Sequence, residues 1–156
     1  MNEDASWLAP VGRLDMASEG LLLLTDDSGW AARILAPETH LERIYHVQID
    51  RVADVALLRE IETEVRARDG ESLLVKRAKL LRSGANNCWL EITLEEGRNR
   101  QIRRIFEALG IEALRLVRVA IGPFRLGELP KGASRRLSPE EKRELDRAMA
   151  AGQGHH

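Results

Sequence analysis

Two segments of the sequence combine residue types that can do chemistry, and the first comes just before an apolar run. Gly12-Arg13-Leu14-Asp15 is followed by Glu19-Gly20 and then by Leu21 to Leu24. A carboxylate and a guanidinium on a loop at a sheet edge, with glycines that allow close backbone approach, form a candidate polar site. The same residues also suit a turn with a surface ion pair. This segment alone leaves both interpretations open.

The second segment, Glu96 to Arg104, is rich in arginine. It carries Arg98, Arg100, Arg103 and Arg104 at the start of a predicted helix. Cations are disfavoured in a first helical turn because the backbone amides there are already positive. Arginine forks match phosphate oxygens, so this placement favours nucleic-acid binding. A solvated charge run is the alternative, although such runs usually mix both signs.

Tyr45, the only tyrosine, lies in a segment with strict apolar alternation. Tyr45, Val47 and Ile49 are predicted on one face of a strand, and His46 and Gln48 on the other. A half-buried core tyrosine fits this pattern as well as an active-site tyrosine does, so spacing does not decide its role.

The elements that must position these residues follow from hydrophobic period and from turn signals. Gly110 is placed as a helix C-cap, and Ser138-Pro139 with Glu141 predicts a capped helix start. The loop at 83–87 predicts an antiparallel hairpin. We predict strands at 21–25, 43–50, 73–81, 89–94 and 114–121, and helices at 30–35, 53–65, 101–109 and 139–150. Strands interleaved irregularly with helices predict an α+β fold with a mainly antiparallel sheet.

Charge is distributed unevenly along the 156 residues. Residues 97–136 carry 10 Lys and Arg against 3 Asp and Glu, whereas residues 1–96 carry 11 against 18. The net charge of the whole chain is -1. Because attraction is set by the local field, which salt screens over about 10 Å, a near-neutral chain can still bind a polyanion through its basic part.

Several classes of protein are disfavoured by composition. A single cysteine, Cys88, excludes an internal disulfide, and the four histidines show no metal-ligand spacing. We therefore expect a cytoplasmic protein without a metal or cofactor. No apolar run approaches the roughly 20 residues of a membrane span, and the start lacks the layout of a signal peptide. Residues 1–150 are expected to form one domain, and residues 151–156 to be a purification-tag remnant.

Together the motifs resemble the bacterial ribosomal RNA pseudouridine synthases of the RsuA/RluB/RluE/RluF family. The resemblance runs in one order from residue 11 to about 138, and several independent motifs arrive at the family's usual intervals. The motifs are Gly12 to Asp15, Ser18 to Asp26, Ile44 to Val47, Glu96 to Arg104, and Leu116 to Gly122. The family has more catalytic-domain sequence before the first motif, so the chain is expected to be an N-terminally truncated catalytic domain.

The resemblance implies roles for particular residues. Asp15 matches the catalytic aspartate, Tyr45 the active-site tyrosine, and Arg103 the arginine that pairs with the aspartate. RNA or substrate binding is expected of a second set: Arg13, Arg98, Arg100, Arg104 and Arg118. The implied fold is a sheet flanked by helices with the cleft across it. The implied partner is ribosomal RNA, with residues 118–122 and 129–132 closest to the large-subunit branch, and the enzyme is expected to be a monomer.

Uridine isomerisation breaks the bond from the sugar to N1 and rejoins the base through C5, so it needs no redox cofactor or metal. An aspartate suits the attacking or charge-stabilising role, and a nearby arginine would keep it ionised.

Two other classes of protein remain open at this stage. A non-catalytic RNA-binding or assembly module needs only the basic segment, and a glycoside hydrolase would need Asp15 and Glu19 at a fixed separation.

Overall fold

The structure is a computed structural model, and it describes residues 9–10, 19–25, 27–36, 39–95, 101–126 and 137–153. Ten strands and four helices occupy these ranges. The strands are β1 (Ala9–Pro10), β2 (Glu19–Gly20), β3 (Leu24–Thr25), β4 (Arg43–Ile49), β5 (Val65–Arg66), β6 (Ser72–Leu73), β7 (Arg77–Ser83), β8 (Cys88–Leu94), β9 (Ala113–Ile121) and β10 (Phe124–Arg125). The helices are α1 (Ser28–Leu35), α2 (Val55–Glu62), α3 (Gln101–Ala108) and α4 (Pro139–Gln153).

A six-stranded sheet forms the centre, with strand order β10-β9-β4-β8-β7. These strands pair antiparallel, and β2 adds a short parallel pairing to β9. Two small ladders, β1-β3 and β5-β6, complete the strand pairing of the described residues. The architecture confirms the predicted α+β fold with a mainly antiparallel sheet.

The larger hydrophobic core lies on one face of this sheet. Val47 and Ile49 of β4 are fully buried there, as the alternation predicted, against Ile102, Ile105 and Phe106 of α3. A second, smaller core joins α1 and α4 to the end of β9. At about 25 cal/mol per Å², the apolar burial in these two cores is the main force that holds the strands together.

The helix boundaries follow from their caps. Asp27 accepts a hydrogen bond from the Trp30 amide at 3.0 Å, and Asp54 accepts one from Leu57 at 2.9 Å. Ser138 and Glu141 exchange backbone-to-side-chain hydrogen bonds of 2.9 and 3.1 Å, which confirms the predicted capped start of α4. Gly110 follows α3 with a φ of 71°, as its predicted capping role requires.

Three predicted boundaries were wrong. The strand predicted at 73–81 is divided into β6 and β7, because Leu73 pairs with Val65 while the Lys76 amide already donates to Thr93. The strand predicted at 21–25 is also divided, since pairing occurs at Glu19–Gly20 and again at Leu24–Thr25. The helix predicted at 53–65 ends at Glu62, and Val65 begins β5 instead.

The chain ends carry two further predictions. Helix α4 continues through residue 153, so part of the presumed tag is helical, and residues 154–156 lie outside the described residues. The division at residue 150 stays a prediction. In the ranges that the structure describes, no helix has the length and apolar character to cross a membrane.

Candidate active site

The central sheet brings Tyr45 and Arg118 side by side. Tyr45 on β4 is the direct cross-strand partner of Arg118 on β9, at a point where the register shifts by one residue. On the other side of β9, Arg118 pairs with Gly20 of β2. One row across three strands therefore contains Gly20, Arg118 and Tyr45, two of which the sequence predicted as functional residues.

Arg118 is the most unusual group in this row, because its side chain is charged and only 7% exposed. Its Nε donates to the Leu21 carbonyl at 2.8 Å, and its own carbonyl accepts from the Leu21 amide at 2.8 Å. Its Nη2 is buried and makes no hydrogen bond in the structure as described. Burying an unsatisfied guanidinium donor is costly. Such a donor suits an acceptor supplied by a bound ligand.

Glycine at position 20 is what allows β2 to approach Arg118. Gly20 has a φ of 112°, and a Cβ built there would lie 2.2 Å from the Arg118 carbonyl oxygen. Only a residue without Cβ fits this close backbone contact. Residues 11–18, which include Arg13 and Asp15, come immediately before β2 and lie outside the described residues.

Arg103 lies on α3 next to Ile102, which is buried in the larger core. It is half-buried, and its Nη1 lies 3.5 Å from the Ala113 carbonyl at the start of β9. Ala113 pairs with Ile49, four positions from Tyr45 along β4, which is roughly 13 Å at 3.3 Å per residue. Arg103 thus contacts β9 beside Ile49, the last residue of β4. Asp15, the predicted partner of Arg103, lies outside the described residues.

Arg104 makes intramolecular ion pairs. Its Nη2 donates to Asp69 Oδ2 at 2.9 Å and to Glu71 Oε2 at 3.2 Å. The hydrogen bond with Glu71 and the neighbouring charge of Asp69 raise the pKa of the Arg104 guanidinium. These contacts tie α3 to the β5-β6 hairpin. The RNA-binding role of Arg104 stays a prediction, as do the roles of Arg98 and Arg100, which lie outside the described residues.

Gln101 is a positioning residue that sequence reasoning did not identify. It is 2% exposed at the start of α3, and its Nε2 donates to the Leu74 carbonyl at 3.1 Å. Its Oε1 is buried without a hydrogen-bond partner. Gln101 therefore fixes the helix that begins directly after the arginine-rich segment. A glutamine within a charged run is typical of solvent exposure, so no sequence signal indicated its burial.

Metal-ligating residues do not cluster in the part of the chain that the structure describes. Within those ranges, no three His, Cys, Asp or Glu side chains converge. The candidate site is instead built from guanidinium, phenol and backbone groups.

The sequence and the fold are both similar to those of RNA pseudouridylate synthases. Residues 2–108 match the family model described as RNA pseudouridylate synthase. A solved structure entitled pseudouridylate synthase is similar with a TM-score of 0.78 and 34% identity, over 92% of this chain and 61% of that one. The chain belongs to the RNA pseudouridine synthase family, and the resemblance inferred from the motifs is confirmed.

Relatives with known names agree with this membership. The chain is 37% identical over 143 residues to ribosomal large subunit pseudouridine synthase B of Bacillus subtilis, covering 90% of this chain and 58% of the relative. It is 41% identical over 131 residues to the protein of the same name in Escherichia coli K12, covering 84% and 43%. An uncharacterized RNA pseudouridine synthase of Rickettsia conorii is 40% identical over 78% of this chain and 52% of its own length.

The extent of these matches is also informative. The chain spans about half the length of the curated relatives it matches. An archaeal box H/ACA Nop10-Cbf5 complex shares the fold with a TM-score of 0.57 at 22% identity, over 80% of this chain and 42% of that one.

Proposed function

We propose that the chain is a catalytic portion of an RNA pseudouridine synthase that isomerises a uridine in ribosomal RNA, of the large subunit rather than the small. The observation that carries the proposal is the Gly20-Arg118-Tyr45 row in a chain of this family. The names of the relatives from Bacillus subtilis and Escherichia coli support the large-subunit substrate. Action on ribosomal RNA implies a cytoplasmic location, and we propose a monomer that needs no cofactor.

The proposed reaction exchanges one glycosidic bond for another. The C1′–N1 bond of uridine breaks, the uracil turns within the site and a C1′–C5 bond forms. The proton on C5 then leaves to solvent and N1 takes up a proton, so that the product is an isomer of uridine. Asp15 is the proposed group that attacks or stabilises the developing charge, because it must be ionised and must leave again. Tyr45 stacks on the uracil and takes part in removing the C5 proton.

Chain length supports the assignment of Asp15. Four peptide units separate Asp15 from Glu19, so their Cα atoms lie at most about 14 Å apart. Glu19 pairs with Val117, next to the row that holds Arg118 and Tyr45. This limit allows Asp15 to approach a uridine stacked on Tyr45. The free Nη2 of Arg118 would donate to a phosphate or uracil oxygen of the same nucleotide.

A stacked uridine is inaccessible to these groups, so the base must be flipped out of its helix at a cost of a few kcal/mol. Contacts between arginines and phosphates offset this cost. Arg13, Arg98 and Arg100 are proposed to make these contacts. Arg104 would have to exchange Asp69 and Glu71 for phosphate in order to join them.

Release of tritium from ribosomal RNA labelled at uracil C5 tests the proposal. We expect release with the recovery of pseudouridine, because the C5 proton is lost as the new bond forms. RNA binding without tritium release would indicate a non-catalytic module instead. Liberation of free uracil would indicate glycoside hydrolysis. Either result would contradict the proposed function.

Arg103 is predicted to act on Asp15 rather than on phosphate. Arg103→Met should then lower the single-turnover rate at saturating RNA by at least about tenfold, because loss of the cation raises the pKa of its carboxylate partner. Arg100→Met removes the same charge and should mainly raise the RNA dissociation constant. Single-turnover rates and dissociation constants of the two variants provide the comparison. A wild-type saturated rate in Arg103→Met would make Arg103 a phosphate contact.

A further inference from the structure

The face of the sheet opposite Tyr45 carries a half-buried tryptophan flanked by arginines. Side chains alternate along β4, so Gln48 points away from the core that buries Val47 and Ile49. Gln48 pairs with Trp89 of β8 on one side and with Arg115 of β9 on the other. Trp89 in turn pairs with Arg82 of β7. We call these four residues, Arg82, Trp89, Gln48 and Arg115, the tryptophan row.

The arginines of the tryptophan row hold the indole from both sides of its strand. The Arg82 Cζ lies 4.9 Å from the centroid of the Trp89 ring, and the Arg115 Cζ lies 5.5 Å from it. Both distances are within the range of cation–π attraction. The indole is therefore oriented by charged neighbours and stays half-buried rather than packed in a core.

The two arginines differ in their other contacts. Arg115 donates from Nε and Nη2 to the two Glu19 carboxylate oxygens, at 3.1 and 3.0 Å. This bidentate pair raises the pKa of Arg115 and fixes its guanidinium. Among the described residues, the exposed Arg82 side chain makes its cation–π contact with the indole and no hydrogen bond or ion pair. Its N–H donors are available to a phosphate.

The charge around the tryptophan row favours a polyanion. Arg77 and Lys79 are exposed on the same edge strand as Arg82, and Lys79 lies opposite Glu91. Glu91 is already engaged by His46 at 3.2 Å, and Glu19 by Arg115. Glu91 and Glu19 are thus paired within the protein. The Arg82 guanidinium, on the edge strand β7, has no such carboxylate partner among the described residues.

From this arrangement we infer that the tryptophan row is a second RNA-binding surface, which binds an unpaired segment of the substrate on the side of the sheet away from Tyr45. A base stacks against Trp89, and the adjoining phosphate contacts Arg82. Aromatic rings beside free cations are the usual platform for single strands, because every base has a π face. The identity of the polymer rests on the proposed function, but the surface is distinct from the candidate active site.

Binding of a fluorescently labelled single-stranded oligouridylate to the full chain tests this inference. Trp89→Ser should weaken binding by about 5- to 100-fold, the range for loss of one stacked base, and leave the slope of log affinity against log salt unchanged. Arg82→Gln should weaken binding and reduce that slope by about 0.7, as expected when one phosphate contact to a single strand is lost. Trp89→Phe keeps an aromatic ring and should retain most of the affinity.

Arg66→Gln is the matched control for Arg82→Gln. Arg66 is also an exposed strand arginine, but it lies on β5 beside Glu64, outside the central sheet. We expect its affinity and salt slope to equal those of the wild type. Circular dichroism of each variant separates loss of binding from loss of fold, and Arg82→Gln remains informative if Trp89→Ser is unstable.

Intrinsic fluorescence provides a second, independent readout. In a Trp7→Phe background, which leaves Trp30 and Trp89 of the three tryptophans, the oligouridylate should quench the emission, and Trp89→Phe should remove that quenching because Trp30 is buried. Quenching should persist in Tyr45→Ala, which separates this surface from the proposed active site. Three results would each overturn the inference: equal affinity and salt slope in all variants, no measurable binding of the oligouridylate, or binding only of an RNA duplex. Each of them would do so even if tritium release established the isomerase activity.

Discussion

Asp15→Asn is expected to abolish pseudouridine formation, with a loss of roughly 1,000-fold or more in the single-turnover rate. The substitution keeps the shape of the side chain but removes the negative charge that the reaction needs as a nucleophile or charge stabiliser. RNA affinity should stay close to that of the wild type, because a carboxylate and a phosphate, which are both negatively charged, do not attract each other. Tritium release from C5-labelled RNA at saturating protein measures the rate.

Asp27→Asn is a matched control for this variant. Asp27 accepts the capping hydrogen bond of α1, and asparagine caps a helix about as well as aspartate. We expect Asp27→Asn to retain the wild-type rate. Turnover above a hundredth of the wild-type rate in purified Asp15→Asn would show that Asp15 does not perform the chemical step.

Local sequence signals were sufficient for the faces and ends of the main elements. Alternation from Tyr45 to Ile49 indicated which side of β4 is buried, because the side-chain period of a strand is two. The capping residues Ser138 and Glu141 and the left-handed Gly110 act on their own neighbours, so their effect is visible in a short window. These features follow from chemistry within a few residues.

Pairing between distant residues was not predictable in the same way. The Arg118 contact with Tyr45 depends on a register shift in β4, and the Arg104 contact with Asp69 spans 35 residues. The division between β6 and β7 arises because Leu73 is buried in a separate hairpin. Tertiary packing selects these partners, and a single sequence contains no record of the selection.

The tryptophan row illustrates the same limit at a surface. Arg82, Trp89 and Arg115 lie on three strands, and only cross-strand register brings them together. The sequence pointed to the arginines of residues 97–136 as the RNA-binding region, which includes Arg115 but not Arg82. Local charge therefore identified Arg115. It did not identify Arg82 or Trp89, because both belong to residues 1–96, whose net charge is negative.

Gly20→Ala is expected to have the largest effect on stability of any single methyl addition at a described glycine. The new Cβ would lie 2.2 Å from the carbonyl oxygen and 2.6 Å from the amide nitrogen of Arg118, both backbone atoms that cannot rotate away. Backbone strain at φ 112° and the steric overlap each cost about 1–3 kcal/mol, so we expect about 3 kcal/mol or more from the free energy of unfolding. Urea denaturation measures this difference.

Gly70→Ala separates strain from overlap. Gly70 also has a positive φ, 87°, but a Cβ there meets nothing within 4 Å, so only the conformational cost of about 1 kcal/mol should appear. The surplus in Gly20→Ala then measures the close approach of β2 to β9. Because Gly20 lies in one row with Arg118 and Tyr45, isomerisation should also fall in Gly20→Ala protein that is still folded, and not in Gly70→Ala. Equal stability and equal turnover in the two variants would mean that the contact between Gly20 and Arg118 neither holds the sheet nor positions the site.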